Sequence, residues 1–476
     1  MTFFISFKFF IFVFFILLKL SKEEEKLRWA FEIFRHGARS PYSGMTEDFI
    51  DCFGQQWNGL KELTGVGLRQ HFLVGYRNRI RYMNETKLLS FTYDPREVYL
   101  ISTDSNRTIM SANAQVQGLY LPGTGPTLFE NQSAIAIPPV EEKSFEDEKK
   151  ELDNDDYAVL PNKMNIIPIH SFFNKDHFFQ LQDKKVCPNA NKLYIKNQER
   201  DEVKNFLKKM NSKYGEKIEN ITKEGKDALM NYTKAYYIFD TLIAQYTEGL
   251  PKFDEIIEKM NVTKEQILED AFLFFDYDLI GKGINNDTEL CLHSMSPIFD
   301  RLIKWMDLKI QKDNEDFDYI GYDLPKFVMF SAHDSTCGAF MGFMKAVFGT
   351  EIIYPTFASN INLELYKKDE GYYVKYFIND KNISEIKYDE FVQKIQSKSK
   401  SREQIDIFCG FEKKEKKEKK EKKNNDVFLI ADIVLSVISV ILIILIFITI
   451  KKKKSTNTSI DVDKVEPLNQ IGENEN

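Results

Sequence analysis

Apolar residues in this chain come in short blocks and long ones, and block length separates strands from spans. Residues 29–34, 97–103 and 326–332 are short runs with the aromatic and β-branched content of buried strands. Residues 360–365 alternate polar and apolar side chains, 369–371 read as a turn, and 372–377 return, which predicts a hairpin. Between 126 and 294 the apolar spacing is mostly helical, as in 199–210 and 223–246. Longer runs occupy both ends. Residues 3–20, broken by Lys8 and Lys19, have the form of a secretory signal (1–20), with an uncleaved anchor as the alternative. Residues 427–450 carry one acid, Asp432, and suffice for a tilted membrane span.

This order predicts an α/β protein: a three-layer, mainly parallel sheet with flanking helices, a mostly helical cap lobe, and a single C-terminal transmembrane helix. The folded region covers 25–410, with the sheet core from about 25–125 and 295–410 and the cap from about 126–294. A Lys/Glu-rich linker, 411–426, leads to the span, and 451–476 form the tail.

Composition then sets the compartment. Lys451–Lys454 directly follow the span and belong on the cytosolic side, although the basic run of residues 413–423 blurs that rule; a cleaved leader fixes a type I orientation. Sequons at Asn84, Asn131, Asn220, Asn231, Asn261, Asn286 and Asn382 fit lumenal or extracellular exposure. Asn106 begins another sequon, but a glycan there would crowd Arg107, so it is expected to stay unmodified. The net charge of −7, more acidic still once both ends are set aside, fits a hydrolase and argues against a nucleic-acid partner.

The chemistry begins after the first strand, at Arg35-His36-Gly37-Ala38-Arg39-Ser40-Pro41. On a helix Arg35 and Arg39 would repel, whereas on a loop both forks converge on one anion. Two fixed cations lower the proton affinity of His36, leaving a neutral nucleophilic ring. A solvated basic turn is the plain alternative. The second strand runs into Asp104 or Ser105 as a helix cap, with Arg107 in the first turn, where the helix terminus adds positive charge. The third ends at His333-Asp334. Singly, Arg107 reads equally as a surface cation, His333 as a core or cap histidine, and Asp334 as an N-cap. Ligands of open α/β sheets sit beyond the carboxyl ends of strands, so three such ends would bring these groups together. The six histidines show no zinc spacing, Cys337 is followed by no arginine at cysteine-phosphatase spacing, and the Gly65-Val66-Gly67 turn lacks a Walker lysine.

Arg35-His36-Gly37-x-Arg39-x-Pro41 with Ser331-Ala332-His333-Asp334 resembles the histidine acid phosphatases, a branch of the histidine phosphatase superfamily, from about Leu27 to Cys409. The resemblance implies His36 as phosphohistidine nucleophile, Asp334 as proton donor to the leaving alcohol, and Arg35, Arg39, Arg107 and His333 as phosphate ligands, with no metal and no cofactor. It implies an acid phosphatase with an acidic optimum, which the C-terminal span would anchor in the lysosomal membrane or at the cell surface. Substrates would be small phosphate monoesters, phosphoproteins or phospholipid head groups; a homodimer is left open. Thr336, where phytase-like members often carry Asn, tilts the reading to the prostatic and lysosomal type over a phytase, lipid-phosphate or nucleotide hydrolase. A receptor or adhesion protein on the same fold is the non-catalytic alternative. For the five cysteines the resemblance supports Cys187 with Cys291; Cys52 with Cys409 is a weaker expectation, leaving Cys337 free.

Overall fold

In the computed structural model, seven strands among the described residues form one sheet, ordered β3-β2-β4-β1-β5-β6-β7. The structure describes residues 25–42, 59–132, 135, 136, 138, 157–171, 187–221, 224–249, 251–281, 288–315, 324–369 and 371–455. The leader, Cys52, Asn286 and most of the tail lie outside them.

In chain order, β1 (Lys26–Arg35) leads to α1 (Gly65–Arg79), which continues as a π-helical turn over Ile80–Glu85. Then come β2 (Val98–Ser102), α2 (Asn106–Leu119) and the short β3 (His170–Ser171). A helical stretch follows: α3 (Pro188–Gln198), α4 (Asp201–Ile221), α5 (Tyr232–Thr247), α6 (Pro251–Lys259), α7 (Lys264–Gly281) and α8 (Thr288–Glu315). The chain returns through β4 (Phe327–Ala332), α9 (Asp334–Phe348), β5 (Asn360–Lys368), β6 (Gly371–Ile378), β7 (Lys381–Lys387), α10 (Tyr388–Lys398) and α11 (Arg402–Cys409).

Alternation along β1 divides the interior. Trp29, Phe31 and Ile33 enter one cluster with α4, α5, α7, α8, α9 and α10. Ala30 and Phe34 enter another with Tyr82, Met83, Ala112 and Val116 of the α1–α2 layer. Both faces are thus covered, as the central strands of such a sheet require.

Two expectations are corrected. The sheet is mixed: β2/β3, β2/β4 and β1/β4 are parallel, while β1/β5, β5/β6 and β6/β7 are antiparallel. After α9 the chain re-enters as a meander, and its tight turns permit only antiparallel neighbours. One of these turns uses Asn379 and Asp380, both at positive φ, as a two-residue hairpin demands. The second correction concerns the disulfide, which joins Cys187 to Cys409 with 4.6 Å between Cα atoms. Asn189 Nδ2 donates to the Phe408 carbonyl at 2.9 Å, and the Phe408 ring stacks on His293 at 4.0 Å, so α3, α8 and α11 meet there. Cys291 instead points into the core from α8. Cys409 is therefore not available to Cys52.

Residues from Gly410 onward form a separate unit. Its described residues include the helix α12 (Glu412–Ser455), whose Asp432–Lys451 stretch has a mean hydropathy of 3.4 and is long and apolar enough to cross a membrane.

Candidate active site

The parallel strands β1, β2 and β4 end side by side, and the chain leaving each one carries polar residues. The β1 exit is pinned by backbone: His36 N donates to Ala332 O at 3.0 Å, Arg35 N to Ser359 O at 2.9 Å, and Ala358 N to His36 O at 3.1 Å. Gly37 packs against Gly67 of α1, where a Cβ would lie 2.5 Å from the Gly67 carbonyl oxygen, so no larger residue fits without a backbone shift.

His36 is 3 % exposed. Its Nδ1 lies 2.9 Å from the Gly37 carbonyl, which can only accept; Nδ1 therefore carries the proton and Nε2 the lone pair. Burial, then the guanidiniums of Arg35, Arg39 and Arg107, hold this imidazole well below its ordinary pKa. Sequence reasoning identified the cations; burial, the larger cause, came from the fold.

Arg35 donates to Tyr354 Oη at 3.0 Å and the Pro355 carbonyl at 2.9 Å, lies over the Phe357 ring at 4.4 Å, and pairs with Asp334 Oδ2 at 3.2 Å. Arg39 is gripped by Asp240 of α5, at 2.7 and 3.1 Å, and the same carboxylate accepts from Tyr42 N at 2.8 Å. Arg107 Nη2 is 3.4 Å from His333 Nδ1. Thr103, at the end of β2, meets His333 Nε2 at 3.0 Å. Burial and Arg107 push the His333 ring down to about 3. The His36 and His333 rings stand edge to face, 5.6 Å apart. Asp334 opens α9, and its Oδ1 accepts from Ser335 N at 2.6 Å.

The structure thus brings Arg35, His36, Arg39, Arg107, His333 and Asp334 to one crevice. The Nε–H groups of Arg35, Arg39 and Arg107 are buried without a hydrogen-bond partner among the described residues. Buried donors are normally satisfied, and three on converging cations describe a seat for a multi-oxygen anion. Asp240, Tyr354, Phe357 and Thr103 escaped sequence reasoning. Asp240 lies mid-helix among apolar neighbours, and no local signal ties it to a loop two hundred residues away.

The profile of histidine phosphatase superfamily branch 2 matches residues 26–379. The chain is 26 % identical to a lysosomal acid phosphatase of Xenopus laevis over 365 residues, covering 75 % of this chain and 71 % of that protein. Identity to a prostatic acid phosphatase of Bos taurus is 25 %, covering 75 % and 78 % respectively. Among solved structures, the phytase of Citrobacter braakii superposes with a TM-score of 0.52 at 12 % identity, covering 79 % of this chain and 98 % of that one, a likeness of fold alone.

Proposed function

The chain belongs to branch 2 of the histidine phosphatase superfamily, and from that premise we propose how it works as an acid phosphatase, a hydrolase of phosphate monoesters. His36 Nε2 attacks phosphorus in line with the ester oxygen. The N–P bond forms as the P–O bond breaks, and Asp334 gives its proton to the departing alcohol. Arg35, Arg39 and Arg107 hold the equatorial oxygens through their unpaired donors. His333 lies at the same locus: its Nδ1 accepts from Arg107 Nη2, which can only donate, and its Nε2–H donates to Thr103 Oγ1. Water then attacks the phosphohistidine, yielding a proton to Asp334, and inorganic phosphate leaves. Fixed donors supply most of the rate enhancement, as expected where positioning and electrostatics dominate.

The observation that carries this reading is the His36 tautomer: Nδ1 is tied to Gly37 O, so the lone pair belongs to Nε2. An unperturbed aspartic acid is largely ionised at neutral pH, so the acid step favours an acidic optimum. The Asp432–Lys451 segment supports anchoring as a type I protein, and the lysosomal relatives support the lysosomal membrane over the cell surface. The test is hydrolysis of p-nitrophenyl phosphate by the full chain in detergent. His36→Ala removes turnover, by about 10⁴-fold or more, and the wild type retains configuration at phosphorus. Inversion, or an active His36→Ala variant, rejects the mechanism.

A further inference from the structure

Behind the catalytic loop lies a buried polar chain that the mechanism above does not use. Glu32, His71 and Gln115 are each 0 % exposed. One Glu32 oxygen accepts from Asn78 Nδ2 at 2.8 Å and Gln115 Nε2 at 2.7 Å, the other from Asn360 Nδ2 at 3.0 Å. Gln115 Oε1 faces His71 Nδ1 at 2.9 Å, and His71 Nε2 meets the Arg35 carbonyl at 3.0 Å. That carbonyl shares a peptide unit with His36 N, which donates to Ala332 O. The peptide between the first two site residues is therefore clamped at both ends, by β4 on its N–H and by His71 on its oxygen.

Hydrogen-bond bookkeeping fixes how many protons this chain holds. The Arg35 carbonyl only accepts, so Nε2 of His71 carries a proton. If His71 is neutral, its Nδ1 needs a donor. Gln115 must then turn its NH₂ to the ring and its oxygen to Glu32, which must be protonated. If Glu32 is ionised, Gln115 gives it N–H and shows oxygen to His71, which must be imidazolium. Both arrangements contain one proton beyond a bare carboxylate and a neutral ring; they differ in where that proton sits, on the Glu32 carboxyl or on His71 Nδ1, and in which end of the Gln115 amide faces each partner. Losing or gaining a proton breaks a link in either one and leaves a net charge in the interior.

We propose that Glu32, Gln115 and His71 form a one-proton positioning relay that clamps the Arg35–His36 peptide, so that the nucleophile is aligned only while the relay holds that proton. This rests on His36 being the nucleophile. Burial supports the range: it pushes Glu32 up to about 7 and His71 down to about 4. The groups facing Glu32 are Asn360 of β5, Asn78 of α1, Gln115 of α2, Tyr82 of the π turn, and Asp380, itself paired with Arg77 at 2.7 Å. His71 faces Gln115, the Arg35 carbonyl and the Phe34 ring, 5.1 Å away.

The test uses the full chain in detergent with 2,4-dinitrophenyl phosphate, whose leaving group needs no proton; Asp334 then acts only as the base of the second step, which shapes the acid limb and leaves the alkaline limb to the relay. For the wild type, kcat falls about fivefold between pH 7 and 8 and steepens towards tenfold per unit beyond, as one ionisation dictates, while KM moves little. Glu32→Gln, a permanent mimic of the protonated acid, keeps the acid-side kcat and abolishes that fall. Gln115→Met cuts the relay while leaving both titrating groups, and lowers kcat about tenfold across the range with KM within about twofold. An alkaline fall in folded Glu32→Gln identical to that of the wild type overturns the proposal; if that variant does not fold, an unchanged kcat in Gln115→Met overturns it. Activity surviving His36→Ala would instead strike the underlying mechanism.

Discussion

Arginines at two places in this molecule, each buried or half-buried, face opposite fates. Arg81, on the π turn, donates to Glu364 through Nε and Nη2 at 2.6 Å each, and Tyr82 and Tyr366 complete that carboxylate at 2.8 Å each. The cluster is closed: its carboxylate has all the donors it can use. Arg35, Arg39 and Arg107 also sit in the interior or at its edge, yet each keeps a buried Nε–H without a partner among the described residues. Their protein partners, Asp334 and Asp240 included, hold the forks in place without exhausting them. A structural ion cluster ends its own hydrogen bonding, whereas a binding cluster leaves some for the ligand.

Substitution separates the two clusters most sharply. Arg107→Ala is expected to lower kcat/KM for p-nitrophenyl phosphate by about 10²–10³-fold with little change in melting temperature, because it removes transition-state charge stabilisation. Arg81→Ala should do the reverse. It strands Glu364, which is 0 % exposed, and costs about 3 kcal/mol in urea unfolding while the folded fraction turns over normally. Kinetic loss in Arg81→Ala without destabilisation would erase the distinction.

A smaller effect concerns acid stability. His36 and His333 are both held below their ordinary pKa, His333 at about 3. Groups depressed in the folded state stay neutral there while the unfolded chain takes up protons below about pH 6.5, so the free enzyme loses stability as pH falls from 6.5. Each such ring contributes at most about 1.4 kcal/mol per pH unit. An occupying phosphate should offset the loss, since it is bound only by the folded state. Calorimetry from pH 7 to 4, with and without phosphate, reads both; a melting temperature that rises on acidification contradicts the neutral-histidine site.

The smallest expected effect lies at the rim. Asn106 is exposed at the start of α2, and its Nδ2 donates to Glu62 Oε1 at 3.2 Å, one residue from Arg107. Glycopeptide mass spectrometry should find it unmodified, whereas Asn84 and Asn261 are exposed and neither adjoins a site residue in sequence.

What the sequence revealed and what it hid follow one physical line. Arg35, His36, Arg39, Arg107, His333 and Asp334 follow short apolar runs, and a parallel sheet aligns the ends of such runs by construction. Partners chosen through tertiary packing left no trace: Asp240 reaches Arg39 from α5, and Tyr354 reaches Arg35 from the loop before β5. The same holds for the disulfide, where the docking of α3 on α11 decides. β7 was missed because its residues are largely exposed and polar, paired on one side only to β6, so no apolar alternation betrays it. Glu32 lies within the first apolar run, and its meaning depends on three amides from three other elements.

The central claim is that Nε2 of His36 becomes covalently phosphorylated. Mixing the full chain with ³²P-labelled phosphate monoester, quenching in alkali where phosphohistidine survives, and mapping the labelled peptide tests it directly. The account predicts label on the peptide containing His36, absent from His36→Ala and accumulating in the wild type at the rate of the first turnover. A fully active enzyme that never carries label at His36 would contradict it.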